Sequence, residues 1–257
     1  MKPKVITLDI ETCPIEAWTW GIWEQNVGLE MIKDDWSILA YTVKPLGGKP
    51  VYRDTGGRGV KKVRDDSVIL LELWAMLDEA DIVITQNGKA FDIKKINARM
   101  VTLGMPPYSP IRIIDTMLEA KKHFDFTSNK LAWLSRLTDE RKSEHREFPG
   151  FELWKECLAD NPRAWAEMKK YNVQDVVATE KLYYKLRPWM TGHPNMAMYA
   201  DGEIVRCPKC GSPDVHSRGY VHSQAGTYQR YCCQECGGWA RSRKNEMPIE
   251  KRRKLLA

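Results

Sequence analysis

The chain of 257 residues lacks any apolar run approaching the roughly 20 residues that a membrane-spanning helix needs. It lacks internal repeats. Its opening Met-Lys-Pro-Lys-Val-Ile-Thr-Leu-Asp places an acid too early for a secretory signal. No membrane partner is expected, and the location these features predict is cytoplasmic. Net charge is also missing from most of the chain: residues 1–202 hold 29 Lys and Arg against 29 Asp and Glu. Outside one stretch of 30 residues there are only two cysteines, Cys13 and Cys157. That distribution does not read as a disulfide framework.

What is present is unevenly placed. The formal charge of +6 falls entirely in residues 203–257, which carry 11 Lys and Arg against 5 Asp and Glu. A basic annex on a neutral body fits a polyanionic partner, because phosphate contacts release counterions. Hydrophobic residues make up 43% of the chain, enough for a packed core. The patterning predicts strands over Val5–Glu11, Ile38–Lys44 and Val51–Arg53 as an antiparallel meander. A helix is predicted from Asp66 to Glu79, on the spacing of Val68, Leu71, Trp74 and Ala75. A strand over Asp81–Gln86, a helix over Phe91–Leu103 and a strand over Ile111–Asp115 follow. Residues 116–187 read as mostly helical, with a loop around 138–150. The Trp-rich residues 15–36 read as an ordered excursion over the active face. The fold class is therefore α/β, a mixed sheet flanked by helices on both faces.

Three groups of residues carry chemistry. Asp9 and Glu11 are two apart on a strand, so both point to one face, where like charges repel unless a cation lies between them. Asp92 follows the loop Asn87-Gly-Lys-Ala90 and enters the first turn of a helix. Tyr171 and Asp175 are four apart on a late helix and share a face. Taken singly, each has an ordinary structural explanation. Taken together, Asp-x-Glu on a first strand, Asn-Gly-x-x-Phe-Asp after a later strand and Tyr-x-x-x-Asp on a late helix resemble the three exonuclease motifs of the DnaQ-like (DEDD) superfamily. Tyr-x-x-x-Asp marks its Tyr-containing branch; the sister branch has a His five residues before the last Asp, where this chain has Lys170.

The resemblance covers about residues 1–190 and implies a ribonuclease H-like mixed five-stranded sheet. It implies a 3′→5′ exonuclease that uses two Mg²⁺ or Mn²⁺ and releases nucleoside 5′-monophosphates. Asp9, Glu11 and Asp175 would hold the metal that activates water. Asp9 would bridge to a second metal, near which Asp92 acts through water. Tyr171 would orient the attacking water, and Glu11 would meet the 3′-terminal hydroxyl. Phe91 packs either against the terminal base or in the core. Asn87 fits the second motif but is also ordinary turn chemistry. Asp115 reads as a helix N-cap.

The second constellation is Cys207-Pro-Lys-Cys210 and Cys233-Gln-Glu-Cys236, each pair followed by glycine. Paired C-x-x-C spacing predicts a closed tetrahedral site for one structural Zn²⁺. Cys232 is left as a spare thiol. Tyr220, Tyr228, Arg230 and Tyr231 suit a β-hairpin between the pairs. The segment Tyr228–Trp239 resembles zinc ribbons of transposases and phage proteins, which commonly touch nucleic acid. For a phage-encoded chain the cytoplasm is that of the host. Arg230, Trp239 and Arg241 are the candidate contacts in the ribbon. The expected organisation is an exonuclease domain over 1–195, a small C-terminal β zinc ribbon over 203–245 and a basic tail over 246–257. The expected partner is nucleic acid with a free 3′ end, DNA favoured over RNA. A replication or repair protein docking through the ribbon is a further expectation. The rival readings are an RNA 3′→5′ exonuclease and a catalytically inert binding or recruitment protein.

Overall fold

The computed structural model describes residues 3–23 and 25–255. It divides into two compact units, Lys4–Tyr183 and a smaller one of Met1–Pro3 with Tyr184–Ala257.

The larger unit is built on a five-stranded mixed sheet. Its strands are β1 (Val5–Thr12), β4 (Ile38–Pro45), β5 (Val51–Asp54), β6 (Ile82–Thr85) and β7 (Arg112–Asp115), in the order β5-β4-β1-β6-β7. The expected antiparallel meander is β1, β4 and β5. Strands β6 and β7 are added in parallel, as strands reached through helices must be. Two short strands, β2 (Glu16–Ala17) and β3 (Ile32–Asp34), pair within the Trp-rich excursion. Beyond that pairing Trp18, Trp20 and Trp23 stand in solvent, at 71%, 97% and 80% exposed.

Helices cover both faces of this sheet. On one face Ile6, Leu8 and Ile10 meet α1 (Ser67–Asp78) and α2 (Asp92–Thr102) through Ile69, Leu73, Leu77, Ile93 and Ile96. On the other, Leu39 and Ala40 meet α5 (Glu152–Leu158) and α6 (Pro162–Leu186) through Leu153, Cys157, Ala164 and Met168. Burial on both sides explains why β4 is buried from Ile38 to Lys44 without alternation. The short helices α3 (Thr116–His123) and α4 (Leu131–Leu134) follow β7. The helix expected over Asp66–Glu79 is α1, but the residues whose spacing announces it are not its core: Val68 and Leu71 are exposed, whereas Ile69, Leu70, Leu73 and Leu77 are buried. The run Val68-Ile-Leu-Leu71 is apolar all round its turn, so spacing alone does not choose a side.

Two buried ion pairs fix the frame. The Lys44 ammonium meets the Glu180 carboxylate at 2.6 Å, tying β4 to α6. Asp66, fully buried ahead of α1, accepts both arms of the Arg99 guanidinium at 2.7 and 2.8 Å and the Ile38 backbone N–H at 2.9 Å. α6 starts at Asn161-Pro162, where the Asn161 side chain accepts the Arg163 N–H at 3.0 Å and proline occupies the first helical position.

In the smaller unit β8 (Val215–Ser223), β9 (Gly226–Cys233) and β10 (Trp239–Asn245) form an antiparallel sheet of order β10-β9-β8. β8 and β9 are the expected hairpin, and β10 adds a third strand after the second cysteine pair. A last short helix is α7 (Ile249–Arg252). Replacing Arg99 by methionine leaves the Asp66 charge buried with no counter-ion. The expected loss is about 3–5 kcal/mol of stability, measured by urea unfolding. A change under about 1 kcal/mol would show that the pair is not part of the frame.

Candidate active site and cysteine cluster

The larger unit gathers its acids at the C-terminal end of β1. Asp9 and Glu11 leave β1 on one face, opposite Thr42 and Ala40 of β4. β1 outruns its parallel neighbour, since pairing with β6 stops at Thr7. The Ile10 N–H is therefore free of a strand partner and donates to Asp92 Oδ1 at 3.0 Å. Asp92 is set there by the turn between β6 and α2. Gly88 permits that turn, because a Cβ at this position would lie 2.4 Å from the Thr85 side chain. Asn87 takes a left-handed φ of 66°. Asp115 pins the turn by accepting the Asn87 and Lys89 N–H groups at 2.9 and 3.1 Å while it caps α3. Phe91 is 39% exposed, and the Lys95 ammonium lies 5.9 Å from its ring.

α6 supplies the other half. Tyr171 and Asp175 face the cluster one turn apart, with Asn172 between them donating from Nδ2 to Asp9 Oδ2 at 2.7 Å. Asp92 and Asp175 are buried at 3% and 4% exposure, whereas Asp9 and Glu11 are half-buried. Burial, reinforced by Asp92, Glu11 and Asp175, lifts the Asp9 carboxyl well above the usual range. Burial and then Asp175 push Glu11 up to about 8. Burial takes Asp92 up to about 7 against the pull of the Ile10 N–H. Asp175 is raised by burial and partly restored by Lys142.

Two contacts come from residues 141–154. Sequence reads this stretch as a loop near the site, with His145 able to touch a phosphate, but counts neither Lys142 nor His145 among the catalytic residues. The Lys142 ammonium, from the loop after α4, ion-pairs with Asp175 and hydrogen-bonds the Tyr171 hydroxyl at 2.8 Å. His145, from the same loop, meets Tyr171 and Trp154 edge-on, with ring centroids 5.0 and 5.4 Å away. Neither residue belongs to a periodic pattern or a motif. Asn172, one position after Tyr171, is not a motif residue either; only the structure brings its amide to Asp9.

The donors suit hard divalent cations, which take carboxylate oxygens. Asp175 Oδ1 is buried with no hydrogen-bond partner, and a lysine ammonium already stands on the same carboxylate. Among the described residues, however, no three of these acids bring oxygens within 4.8 Å of one another.

The cysteines do close to that spacing. Cys207, Cys210, Cys233 and Cys236 place all four sulfurs within 4.8 Å of one another, and Cys232 is not among them. The Cys207–Cys236 and Cys210–Cys233 sulfurs lie 3.7 and 3.6 Å apart. A tetrahedral Zn²⁺ with bonds of about 2.3 Å has edges of about 3.8 Å. The knuckles turn at Gly211 and Gly237, with φ of 80° and 72°. The cluster fits zinc. On the sheet beside it, Arg230 and Arg241 face each other directly across β9 and β10. The Arg230 guanidinium lies 4.8 Å from the Trp239 ring and that of Arg241 lies 3.8 Å from the Tyr228 ring.

A family model for the RNase_H superfamily matches residues 58–187. That span includes Asp92, Tyr171 and Asp175 and begins after Asp9 and Glu11. In structure the chain is similar to the family B DNA polymerase from the hyperthermophilic archaeon Pyrobaculum calidifontis, with a TM-score of 0.54 and 17% identity. The likeness covers 74% of this chain and 25% of the polymerase, and it is a likeness of fold. A search of curated proteins finds no match. No described helix is long and apolar enough to cross a membrane.

The cysteine geometry makes a quantitative prediction. Elemental analysis of the purified protein should find about one zinc per chain, and Cys210→Ser should lose it together with the near-ultraviolet signature of the smaller unit's aromatics. Full retention of zinc by that variant would remove these four thiols as the site.

Proposed function

The chain belongs to the RNase_H superfamily, and from that premise we propose that it is a metal-dependent 3′→5′ exonuclease of the Tyr-containing DEDD branch. The observation that supports the reading is that Asp9, Glu11 and Asp175 act on one another's charge beside Tyr171 and Asp92 acts on Asp9 and Glu11, each acid raised by burial and Asp9 and Glu11 further by their neighbours. An inert scaffold gains nothing from that arrangement, because every ionised member opposes the others.

Divalent ions, when bound, supply Lewis acidity and an activated water to phosphodiester hydrolysis. The protein does the rest by position. Asp9, Glu11, Asp92 and Asp175 would hold the ions from both sides of the cleft. The Tyr171 hydroxyl, next to Asp175, orients the attacking water. The half-buried Glu11 receives the terminal 3′-hydroxyl. The Trp154 indole favours the ionised form of Glu11, against its burial. One water is added across the bond between phosphorus and the 3′-oxygen. The released nucleotide keeps a 5′-phosphate and the shortened strand regains a 3′-hydroxyl. DNA is the substrate class we favour, after the DNA polymerase whose fold this chain shares in part.

In the smaller unit, the like-charged pair Arg230 and Arg241 supports a second contact with nucleic acid. Directly opposed like charges destabilise a strand pair, and a phosphate between them reverses the sign of that effect. Trp239, 49% exposed, offers a base a stacking surface.

Digestion of 5′-labelled DNA and RNA oligonucleotides tests the main reading. The expected result is a ladder shortening from the 3′ end, supported by Mn²⁺, abolished by EDTA and slowed about a thousandfold by Asp9→Ala. Cleavage that persists in Asp9→Ala at the wild-type rate would sink it, and faster digestion of RNA would exchange the substrate. For the ribbon, replacing both Arg230 and Arg241 by alanine should flatten the slope of log affinity against log salt, measured on single strands, by about 0.7 for each phosphate these arginines neutralise. An unchanged slope assigns this face to a protein partner instead.

A further inference from the structure

The acid cluster contains a cation of its own. Lys142 is one-quarter exposed along its side chain, and its ammonium is shared between the Asp175 carboxylate and the Tyr171 hydroxyl. It also stands 4.2 Å from the Tyr171 ring centroid. Its positive charge acts on Asp9 and Glu11 as well as on Asp175. Burial alone would pull this ammonium down, but Asp175 and Tyr171 outweigh it and keep it firmly charged.

The placement is built into the backbone on both sides. The Lys142 N–H donates to Ser135 Oγ at 3.2 Å, and the Arg141 guanidinium donates to the Ser135 carbonyl at 3.0 Å. From α6, one turn above Tyr171, Gln174 donates to the Arg141 carbonyl at 2.9 Å and to Glu140 at 3.1 Å. The loop is thus fastened to the chain just after α4 and to the helix that carries Asp175. The neighbouring His145 is held by its own contact, Nδ1 to the Phe148 carbonyl at 2.7 Å.

A divalent ion and an ammonium cannot share one carboxylate without repelling each other, and the ion's charge is twice as large. We propose that Lys142 is the internal counter-cation of the acid cluster: it holds Tyr171 and Asp175 in place before metal arrives, and divalent metal must displace it from Asp175 to bind. Lys142 is therefore a positioning residue that also sets the metal affinity. The inference rests on the acids being metal ligands, the reading given above.

Manganese titration of the full-length, zinc-loaded protein, with free Mn²⁺ followed by electron paramagnetic resonance, separates the possibilities. Lys142→Met should bind Mn²⁺ more tightly than wild type, by roughly tenfold or more, as removal of a competing ion pair requires. In EDTA it should melt below wild type, and saturating Mn²⁺ should raise its melting temperature by more. Lys142→Arg should restore wild-type affinity. A merely structural lysine gives the opposite sign, with looser acids and weaker binding. Lys142→Gln, which keeps a donor for the Tyr171 hydroxyl, repeats the test should the methionine variant not fold. Binding no tighter than wild type in the variants overturns the proposal. So does failure of both to fold in saturating Mn²⁺, since the ion should replace the ammonium. Wild type that binds no Mn²⁺ sensitive to Asp9→Asn or Asp175→Asn fails at the earlier step, and the nuclease reading falls with it.

Discussion

The repulsion among Asp9, Glu11, Asp92 and Asp175 is the constraint around which the larger unit is arranged. Burial and crowding make the ionised forms uphill. Glu11 and Asp92 need pH near 8 and 7 to lose their protons, so in the absence of a cation their ionisation works against the fold above the ordinary carboxylate range. Something must hold the acids together against this. The backbone N–H of Ile10 holds Asp92, the Asn172 amide holds Asp9 and the Lys142 ammonium holds Asp175. Behind them, the Lys44–Glu180 pair ties the strand next to β1 to α6, so the two halves of the cluster keep their spacing. Breaking such a buried pair by removing one partner costs more than its formation contributes. The frame is therefore stiff where the chemistry needs it stiff.

The smaller unit solves a different problem. Its described buried apolar residues are few, chiefly Leu186, Met190 and the two thiols Cys207 and Cys233. β8 is exposed or half-exposed along its whole length. A sheet with so little to bury has almost no hydrophobic driving force, and small folds of this kind lean on a metal. Four thiolates at tetrahedral spacing, with glycines at the knuckle turns, meet that need.

Much of this is legible without the fold. Asp9 and Glu11 share a face because strands repeat every two residues, and Tyr171 and Asp175 because helices repeat near every four. The cysteine spacing names its own cluster. What is not legible depends on where loops travel. Lys142 follows Arg141 and precedes Ser143 in a stretch without period, and only the path of the chain after α4 brings its ammonium to Asp175. The third strand of the smaller sheet begins directly after the second knuckle, where spacing is silent about pairing. The buried side of α1 escapes spacing for another reason: with Val68, Ile69, Leu70 and Leu71 consecutive, the helix offers two apolar faces, and the sheet chooses.

Both units break the same local rule in opposite senses. The larger brings four acids into one cleft, and the smaller sets Arg230 directly across from Arg241. Elsewhere among the described residues buried charge is satisfied: Lys44 pairs with Glu180, Arg99 pairs with Asp66, and Asp115 accepts backbone N–H groups. Among the described residues, like charges brought together at these two places are what a ligand of the opposite sign would relieve. For the acids that would be a cation, with the Lys142 ammonium already standing on Asp175. For the arginines, each lying over an aromatic ring and facing solvent, it would be an anion such as a phosphate.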